Sequence, residues 1–537
     1  MFRFIFSQIY KNWQIIKFII SGGTAAVVDF AVLYFLTDIL GIWYLISATL
    51  AFVTAFFVSF SLQKFWTFGD RYTQKIYRQL GLYLTIAVVN LLINAAGMYY
   101  LVDKLGVWYI LAQVIVYGLL AFESFFVYKY IIFKNVLVAA DEQNNDKFKV
   151  LIASGIYPPD FRGPATMLEA LPAALREKGW LVKIITYSDI KGTRREKELE
   201  GVRRILRRRP AWLSRFIYFW RLWEMSAWAD IVYVTDVYSV GYFVHWLKKL
   251  VGKKYVVRFA GDSAWETAAA HGWTDDYIVD FQKKTYGRRI EKLKKRRARI
   301  LLAADKIIAV SHFMAELAAL IGVQTDRIKV IYNAVDFDGE PQIDFQAVEN
   351  IKNQYGGSAK IIVSAGQLVR WKGMDGVIKI LPALQSRIGQ VNLLILGAGQ
   401  ELSNLEKLVL ELGLHNSVHF LGKIKRSRIM NYFASADLFI LNTNYEGLSH
   451  TLLEVMEAGV SILTTTAGGN PEVIEDGKSG LLIEYNNQEQ LLGAAEKILS
   501  DNDFARALTV NAGERLKNFS WEKTVQSTAQ VLKETAD

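Results

Sequence analysis

Four long apolar stretches fill the first quarter of this 537-residue chain, at about residues 18–40, 42–65, 80–102 and 107–133. Each is long enough to cross ~30 Å of hydrocarbon as a helix. A lipid-exposed backbone must satisfy its own hydrogen bonds, so these stretches restrict the N-terminal part to an all-α four-helix transmembrane bundle. A cleaved signal peptide would be shorter and would not recur four times. Arg3, Lys11 and Lys17 precede the first stretch; Lys64, at the end of the second, and Arg71, Lys75 and Arg78 lie before the third; and Lys129, at the end of the fourth, is followed by Lys134, Lys147 and Lys149. The other two connections hold only Lys104, so the positive-inside rule predicts that both ends of the bundle are cytoplasmic. The expected location is a multi-pass protein of the inner (plasma) membrane.

The bundle repeats internally with an offset of 65 residues. Asp38 to Tyr44 (DILGIWY) recurs as Asp103 to Tyr109 (DKLGVWY), and Phe57, Ser59, Phe60, Lys64 and Phe68 recur as Phe122, Ser124, Phe125, Lys129 and Phe133. Each copy spans twice, so the two share one orientation, unlike the inverted repeats of many transporters. With FIISGGTAAVVDF opening the first helix and LQKFWTF closing the second, the pattern resembles the GtrA-like family of small four-helix membrane proteins over residues 12–135. That resemblance implies a link to cell-surface polysaccharide synthesis and movement of polyprenyl-phosphate-linked sugars. Asp29 and Glu123 lie inside helices, where a charge is costly unless paired, protonated or facing a cavity, and they are the site candidates of this domain.

From Phe148 onward the solvent changes. Short apolar runs (KVLIASG, LVKIITYS, DIVYVTD, KYVVRFAG, KIIAVS, IKVIYN) alternate with helical periods, and a second series (KIIVSAG, VNLLILGAG, SVHFLG, LFILN, SILTTT, GLLIE) follows a polar stretch at residues 344–355. Such alternation predicts two consecutive α/β domains with parallel sheets. The absence of cysteine excludes thiol and disulfide chemistry. The net charge of +11, beside membrane helices, points to anionic lipid headgroups and away from nucleic acid.

In open parallel sheets ligands bind beyond the carboxyl ends of the strands. Gly163 stands ahead of one helix there, and Gly397 and Gly399 ahead of another. The most informative segment is NYEGLSHTLLEVMEAGVSILTTTAGGNPEVIEDG, in which Glu446 sits on a loop and Glu454 two turns into a helix starting near Ser449. The amides of Leu448, Ser449, His450 and Thr451 at that helix start suit a diphosphate, because the positive end of the dipole and unpaired N–H groups meet there.

Together with YPPDFRGPAT, AADKIIAVSHFMAELAALIGV, DRIKVIYNAVD, SAGQLVRWKGMDGVI and the closing FSWEKT, this segment resembles the retaining, family-four glycosyltransferases of the GT-B fold, which has two Rossmann-like domains. The resemblance runs from Phe148 to the C-terminus. The two resemblances together imply residues 1–135 as the transmembrane domain, 136–147 as linker, 148–345 as the acceptor-side domain and 346–537 as the nucleotide-sugar domain, whose terminal helix returns to the acceptor-side domain. The second further implies that Lys372 touches the donor diphosphate, Glu446 the sugar, Glu454 the ribose, and the Leu448 to Thr451 backbone the phosphates, with Gly447 also on the donor side, while Gly163 lets a loop approach the donor. Where the family has an arginine five residues before the lysine, this chain has Gln367, with Arg370 two residues before Lys372; RFAGDSAWE replaces a common histidine motif, leaving Asp262 as the acceptor-facing candidate.

The implied reaction is retaining transfer of a hexosyl group from a UDP- or GDP-sugar to a lipid-linked acceptor, without metal or cofactor. Translocation of the lipid-linked product is the alternative, and epimerisation of the nucleotide sugar a third reading. Acid pairs at Asp336/Asp338 and Asp501/Asp503 are explained by turn and cap chemistry. Two basic segments remain, residues 191–215 and 283–299; the first runs into Trp212, Phe216, Phe219, Trp220 and Trp223, which suit an interfacial helix as well as a buried face.

Overall fold

Apolar helices come first in the computed structural model, which describes residues 13–70, 76–132, 147–158, 163–189, 201–207, 210–334 and 343–537. The chain divides into two units, Met1–Lys147 and Phe148–Asp537.

In the first unit four helices, Trp13–Tyr34, Tyr44–Ser61, Ile76–Met98 and Tyr109–Val127, each run into a short π-helical turn, at Phe35–Ile39, Leu62–Thr67, Tyr99–Lys104 and Tyr128–Ile132. The turns recur with the sequence repeat, so the repeat extends to a local backbone irregularity. Ile15–Ile39, Leu45–Thr67 and Ile76–Lys104 are long and apolar enough to cross a membrane, and Ile115–Val127 is a shorter apolar helix. Phe60 and its repeat partner Phe125 meet in one buried cluster with Phe68, Tyr83 and Tyr128.

The second unit holds two wholly parallel sheets. The first has seven strands, β1 (Lys149–Ser154), β2 (Leu181–Ser188), β3 (Val202–Leu206), β4 (Ile231–Val234), β5 (Tyr255–Phe259), β6 (Lys306–Ala309) and β7 (Ile328–Val330), in the order β3-β2-β1-β4-β5-β6-β7. The second has six, β8 (Lys360–Ala365), β9 (Val391–Leu396), β10 (Val418–Gly422), β11 (Leu438–Leu441), β12 (Ile462–Thr465) and β13 (Leu481–Ile483), ordered β10-β9-β8-β11-β12-β13. Strands covered on both faces need near-continuous apolar runs, and Leu438–Leu441 and Ile462–Thr465 are buried throughout.

Twelve of the thirteen strands coincide with the apolar runs read from sequence. The other, β3, is VRRIL, whose arginines made it part of a basic segment; Val202 and Ile205 are its buried residues, and Arg204 is also drawn in, donating to the Pro158 carbonyl at 2.5 Å. Helix starts follow cap chemistry: Ser311, Asp344, Ser449, Asn487, Asp501 and Ser520 each accept a backbone N–H in the first turn of the helix they precede. The last helix, Trp521–Ala536, buries Val525, Ala529, Val531 and Leu532 in the core of the first sheet, with Leu168, Leu171 and Leu175.

Candidate functional site

Each sheet reverses its strand order once, between β1 and β4 and between β8 and β11, and a crevice opens at such points beyond the carboxyl ends of the strands. Both reversals face one cleft of about 230 Å³, lined on one side by Thr235, Arg258, Ala260 and Asn333 and on the other by Gly366, Lys372 and residues 446–451. Lys372 ends a single 3-10 turn, Arg370–Lys372, that follows β8; Glu446 lies on the loop after β11. Their side chains form an ion pair with each other, and both are largely shielded, at 15% and 16% exposure.

The loop from Glu446 to Ser449 is held by the opposite domain. The Ser311 hydroxyl donates to the Gly447 carbonyl at 2.6 Å, and the Asn333 amide donates to the Leu448 carbonyl at 2.7 Å. A Cβ at Gly447 would lie 2.1 Å from the Ala260 carbonyl oxygen, so only glycine permits this approach. Ser449 then caps the helix His450–Glu457, accepting from the Leu452 N–H at 3.3 Å, and leaves the first-turn amides toward the cleft. Glu454 lies on that helix, half-buried.

Gly397 and Gly399 are spacers between two loops. A Cβ on Gly397, whose φ is +146°, would meet the Gly366 carbonyl oxygen at 1.8 Å, and one on Gly399 the Leu368 carbonyl oxygen at 2.0 Å. Gln367 is exposed, on the loop between them. Arg370 stands apart from Lys372: its side chain is 61% exposed, 3.7 Å from Asp275, and it borders a separate depression with Asp375, Glu401, Asn404 and Tyr485. Gly163 opens the helix Gly163–Glu177, directly after residues outside the description.

Asp262, expected to face the acceptor, is turned inward. It is fully buried and caps the helix Ser263–Ala270, with Oδ1 accepting from the Ala264 N–H at 3.0 Å and the Trp265 N–H at 3.3 Å. Its Oδ2 accepts from Gln282 at 3.0 Å and pairs with Arg297, a member of the basic segment at 283–299 whose side chain is 4% exposed. Buried charge must be compensated, and this carboxylate is the compensation for Arg297.

The carboxyl group that sequence reading missed is Glu266, one helical turn on. It is half-buried, close over Gly261, where a Cβ would lie 2.4 Å from its Oε1. Burial pushes it up to about 7; Asp262 and Glu446 add to the rise and Lys372 opposes it. Its neighbour Trp265 packs edge-on against Trp371 and Tyr445, the residues preceding Lys372 and Glu446, and the Asp262 N–H donates to the Tyr445 hydroxyl at 2.9 Å. Nothing in the pattern DSAWE announces that contact, since it joins residues about a hundred or more positions apart.

In the membrane unit, the Ser124 hydroxyl is 3.3 Å from the Glu123 carboxylate and accepts from Asn90 at 2.7 Å, whereas Asp29 has no hydrogen-bond partner among the described residues. A group the sequence marked only for topology, Lys64, is fully buried and bonds to Asp70 at 2.8 Å and Gln79 at 2.5 Å. Asp336 and Asp338 lie outside the described residues.

Three stretches of the chain match known family models: residues 17–133 match the GtrA/DPMS transmembrane domain, 161–338 glycosyltransferase family 4, and 347–515 glycosyl transferases group 1. Among curated relatives, the uncharacterized glycosyltransferase MJ1607 of Methanocaldococcus jannaschii is 27% identical over 237 residues, covering 42% of this chain and 60% of that one. The GDP-mannose-dependent alpha-(1-6)-phosphatidylinositol monomannoside mannosyltransferase of Mycolicibacterium smegmatis is 29% identical over 221 residues, 39% of this chain and 54% of that one. The chain thus spans little more than half the length of the curated relatives it matches. Among solved structures, Anabaena Alr3699/HepE in complex with UDP-glucose superposes with a TM-score of 0.58 at 17% identity, covering 72% of this chain and 100% of that one, which identifies the fold of the second unit as GT-B.

Proposed function

We propose that this chain, a family-four GT-B glycosyltransferase joined to a GtrA-like membrane domain, moves a sugar from a nucleotide donor to a lipid-linked acceptor with retention at the anomeric carbon. One observation carries the reading: Lys372, Glu446 and the helix start at residues 448–451 converge on one cleft between two switch points. A diphosphate entering there would take the place of Glu446 as the partner of Lys372 and meet the first-turn amides. Glu446, released, would then hold hydroxyls of the sugar, and Glu454 those of the ribose. The acceptor hydroxyl attacks on the face the diphosphate leaves, and its proton passes to the departing phosphate oxygen. Electrostatic preorganisation by the lysine and amides stabilises the charge that separates. Arg370 takes no part in this step, because it borders a different depression, whereas Gln367, exposed beside Gly366 of the cleft, stays a donor-side candidate.

A UDP-sugar and a GDP-sugar are the two donor classes, by likeness to HepE, whose structure holds UDP-glucose, and to the GDP-mannose-dependent relative. A lipid acceptor is supported by the first-domain surface. On the helix Ala211–Ser226, Trp212 and Phe216 are 70% and 60% exposed and flank exposed Arg215. The neighbouring helix Val240–Val251 presents Trp246 under Lys249, and burial together with the charges of Lys249, Arg299 and Lys248 holds His245 below its ordinary range. Exposed aromatic residues in a positive field suit an anionic leaflet. Cytoplasmic placement of both ends of the membrane domain follows from its lysines and arginines.

A second reading, movement of the lipid-linked product by the membrane domain, is favoured by the buried Lys64–Asp70–Gln79 network, which an inert anchor does not need. Thermal stabilisation of the full-length protein by a panel of UDP- and GDP-sugars, followed by turnover with extracted membrane lipid, tests the first reading. Stabilisation by neither class would overturn it. Passage of fluorescent lipid-linked sugar across sealed vesicles, with no dependence on nucleotide sugar, would put the second in its place.

A further inference from the structure

Arg258 is the next-to-last residue of β5 and is 6% exposed. Its Nη2 donates to the Asn333 side-chain oxygen at 2.5 Å, but its Nη1 has no acceptor, and the guanidinium forms no ion pair among the described residues. Burial raises the Tyr233 phenol beside it, and the Arg258 guanidinium, by its charge and its side-chain approach to the hydroxyl, opposes the rise. This differs from Arg297, the buried guanidinium of the same domain that has Asp262 as its counter-charge. A buried cation with no counter-charge is among the costlier arrangements a protein keeps, and a native orphan of this kind needs a reason.

The position of Arg258 supplies one. It lines the cleft with Thr235 and Asn333, across from Lys372 and the 448–451 backbone. Asn333 accepts from Arg258 and donates to the Leu448 carbonyl, so two hydrogen bonds connect the guanidinium to the start of the anion-binding loop. Guanidinium groups hold oxyanions with two parallel hydrogen bonds, a geometry for which the Nη1 of Arg258 is still available.

We infer that Arg258 is the cation of an oxyanion subsite on the first-domain wall of the cleft, taking a phosphate or carboxylate group of a substrate. The inference rests on the cleft being the substrate site, as proposed above. Two sources offer this chemistry: the donor diphosphate, held from the other side by Lys372, and an acidic group on the acceptor.

Arg258→Met separates a ligand role from a structural one, because replacing an unpaired buried charge with an apolar side chain of similar length is neutral or stabilising. The full-length variant should unfold at or above the wild-type temperature. If the anion is the donor's, UDP affinity measured by calorimetry falls roughly 10- to 150-fold, the weight of a hydrogen-bonded charge. If it is the acceptor's, UDP binds as before. Inorganic phosphate added to UDP-saturated protein then raises the unfolding temperature of the wild type and leaves that of the variant unmoved. Arg258→Lys should recover part of either effect. Unchanged responses to both UDP and phosphate, or a lower unfolding temperature in Arg258→Met, would overturn the subsite. A wild type that binds phosphate through Arg258 but neither UDP nor GDP would instead overturn the transferase reading.

Discussion

Asp262→Asn distinguishes the sequence reading of that residue from the structural one. The substitution keeps Oδ1, and with it the cap to the Ala264 and Trp265 amides, but turns Oδ2 into an NH2 that faces the Arg297 and Gln282 donors. Donor then meets donor, and Arg297 keeps its charge at 4% exposure without a counter-charge. Removing one member of a buried pair costs about 3–5 kcal/mol. Asp262→Ala loses the cap as well, for about 1 kcal/mol more. With ~2.1 cal/mol/K per residue over the roughly 390 residues of the second unit, unfolding entropy is near 0.8 kcal/mol/K, so the asparagine variant should melt about 4–6 °C lower. Arg297→Met in the same chain should restore much of the loss, since it removes the orphaned charge. Unfolding of the full-length protein in detergent, followed by near-ultraviolet circular dichroism, reads the shift, and donor turnover is measured per folded molecule. Turnover should stay within a few-fold of wild type. An unchanged melting temperature with turnover reduced a hundredfold would show that the carboxylate works on substrate, and the account of it as the partner of Arg297 would fall.

Lys372→Ala and Glu446→Gln should each lower turnover about 100- to 1000-fold with smaller effects on donor binding, and Arg370→Ala should stay near wild type; steady-state kinetics on the three variants checks this. Near-normal turnover in Lys372→Ala would sink the assignment of the donor cleft. Glu266, pushed up to about 7 mainly by burial, binds its proton more tightly folded than unfolded, so it costs the fold stability as pH rises from about 4.5 through 7. Glu266→Gln should therefore match wild-type stability near pH 4.5 and exceed it above pH 7, by at most about 3 kcal/mol; denaturant titrations at pH 4.5, 6 and 8 give the answer, and a gap largest at low pH would reverse the sign. Because the chain has no cysteine, Trp212→Cys or Phe216→Cys can carry a polarity-sensitive fluorophore: its emission should shift to the blue in anionic vesicles and much less in zwitterionic ones or at high salt, and equal spectra would remove the lipid-facing surface.

What was legible in the sequence was whatever local pattern determines. Short apolar runs marked twelve strands, because a strand buried on both faces has little choice of composition; β3 escaped because its edge position tolerates Arg203 and Arg204. The helix start at Ser449 was legible for the same reason, as a cap is a contact within three residues. Partner choice among charged groups was not. Asp262 and Glu266 are both acids near one helix start, and sequence gives no means of telling which turns inward. That is decided by Arg297, which lies 35 residues on in a run of basic residues that reads as uniformly solvated. The apolar frame of the helix Arg288–Ala303, set by Ile290, Ile300 and Leu301, carries Arg297 into the protein. Once there it needs a carboxylate, and Asp262 supplies it, which leaves Glu266 beside the cleft. Arg258 follows the opposite course. The strand carries it into the wall of the cleft with no acid among the described residues to meet it, and that mismatch is visible only when burial and partners are known together.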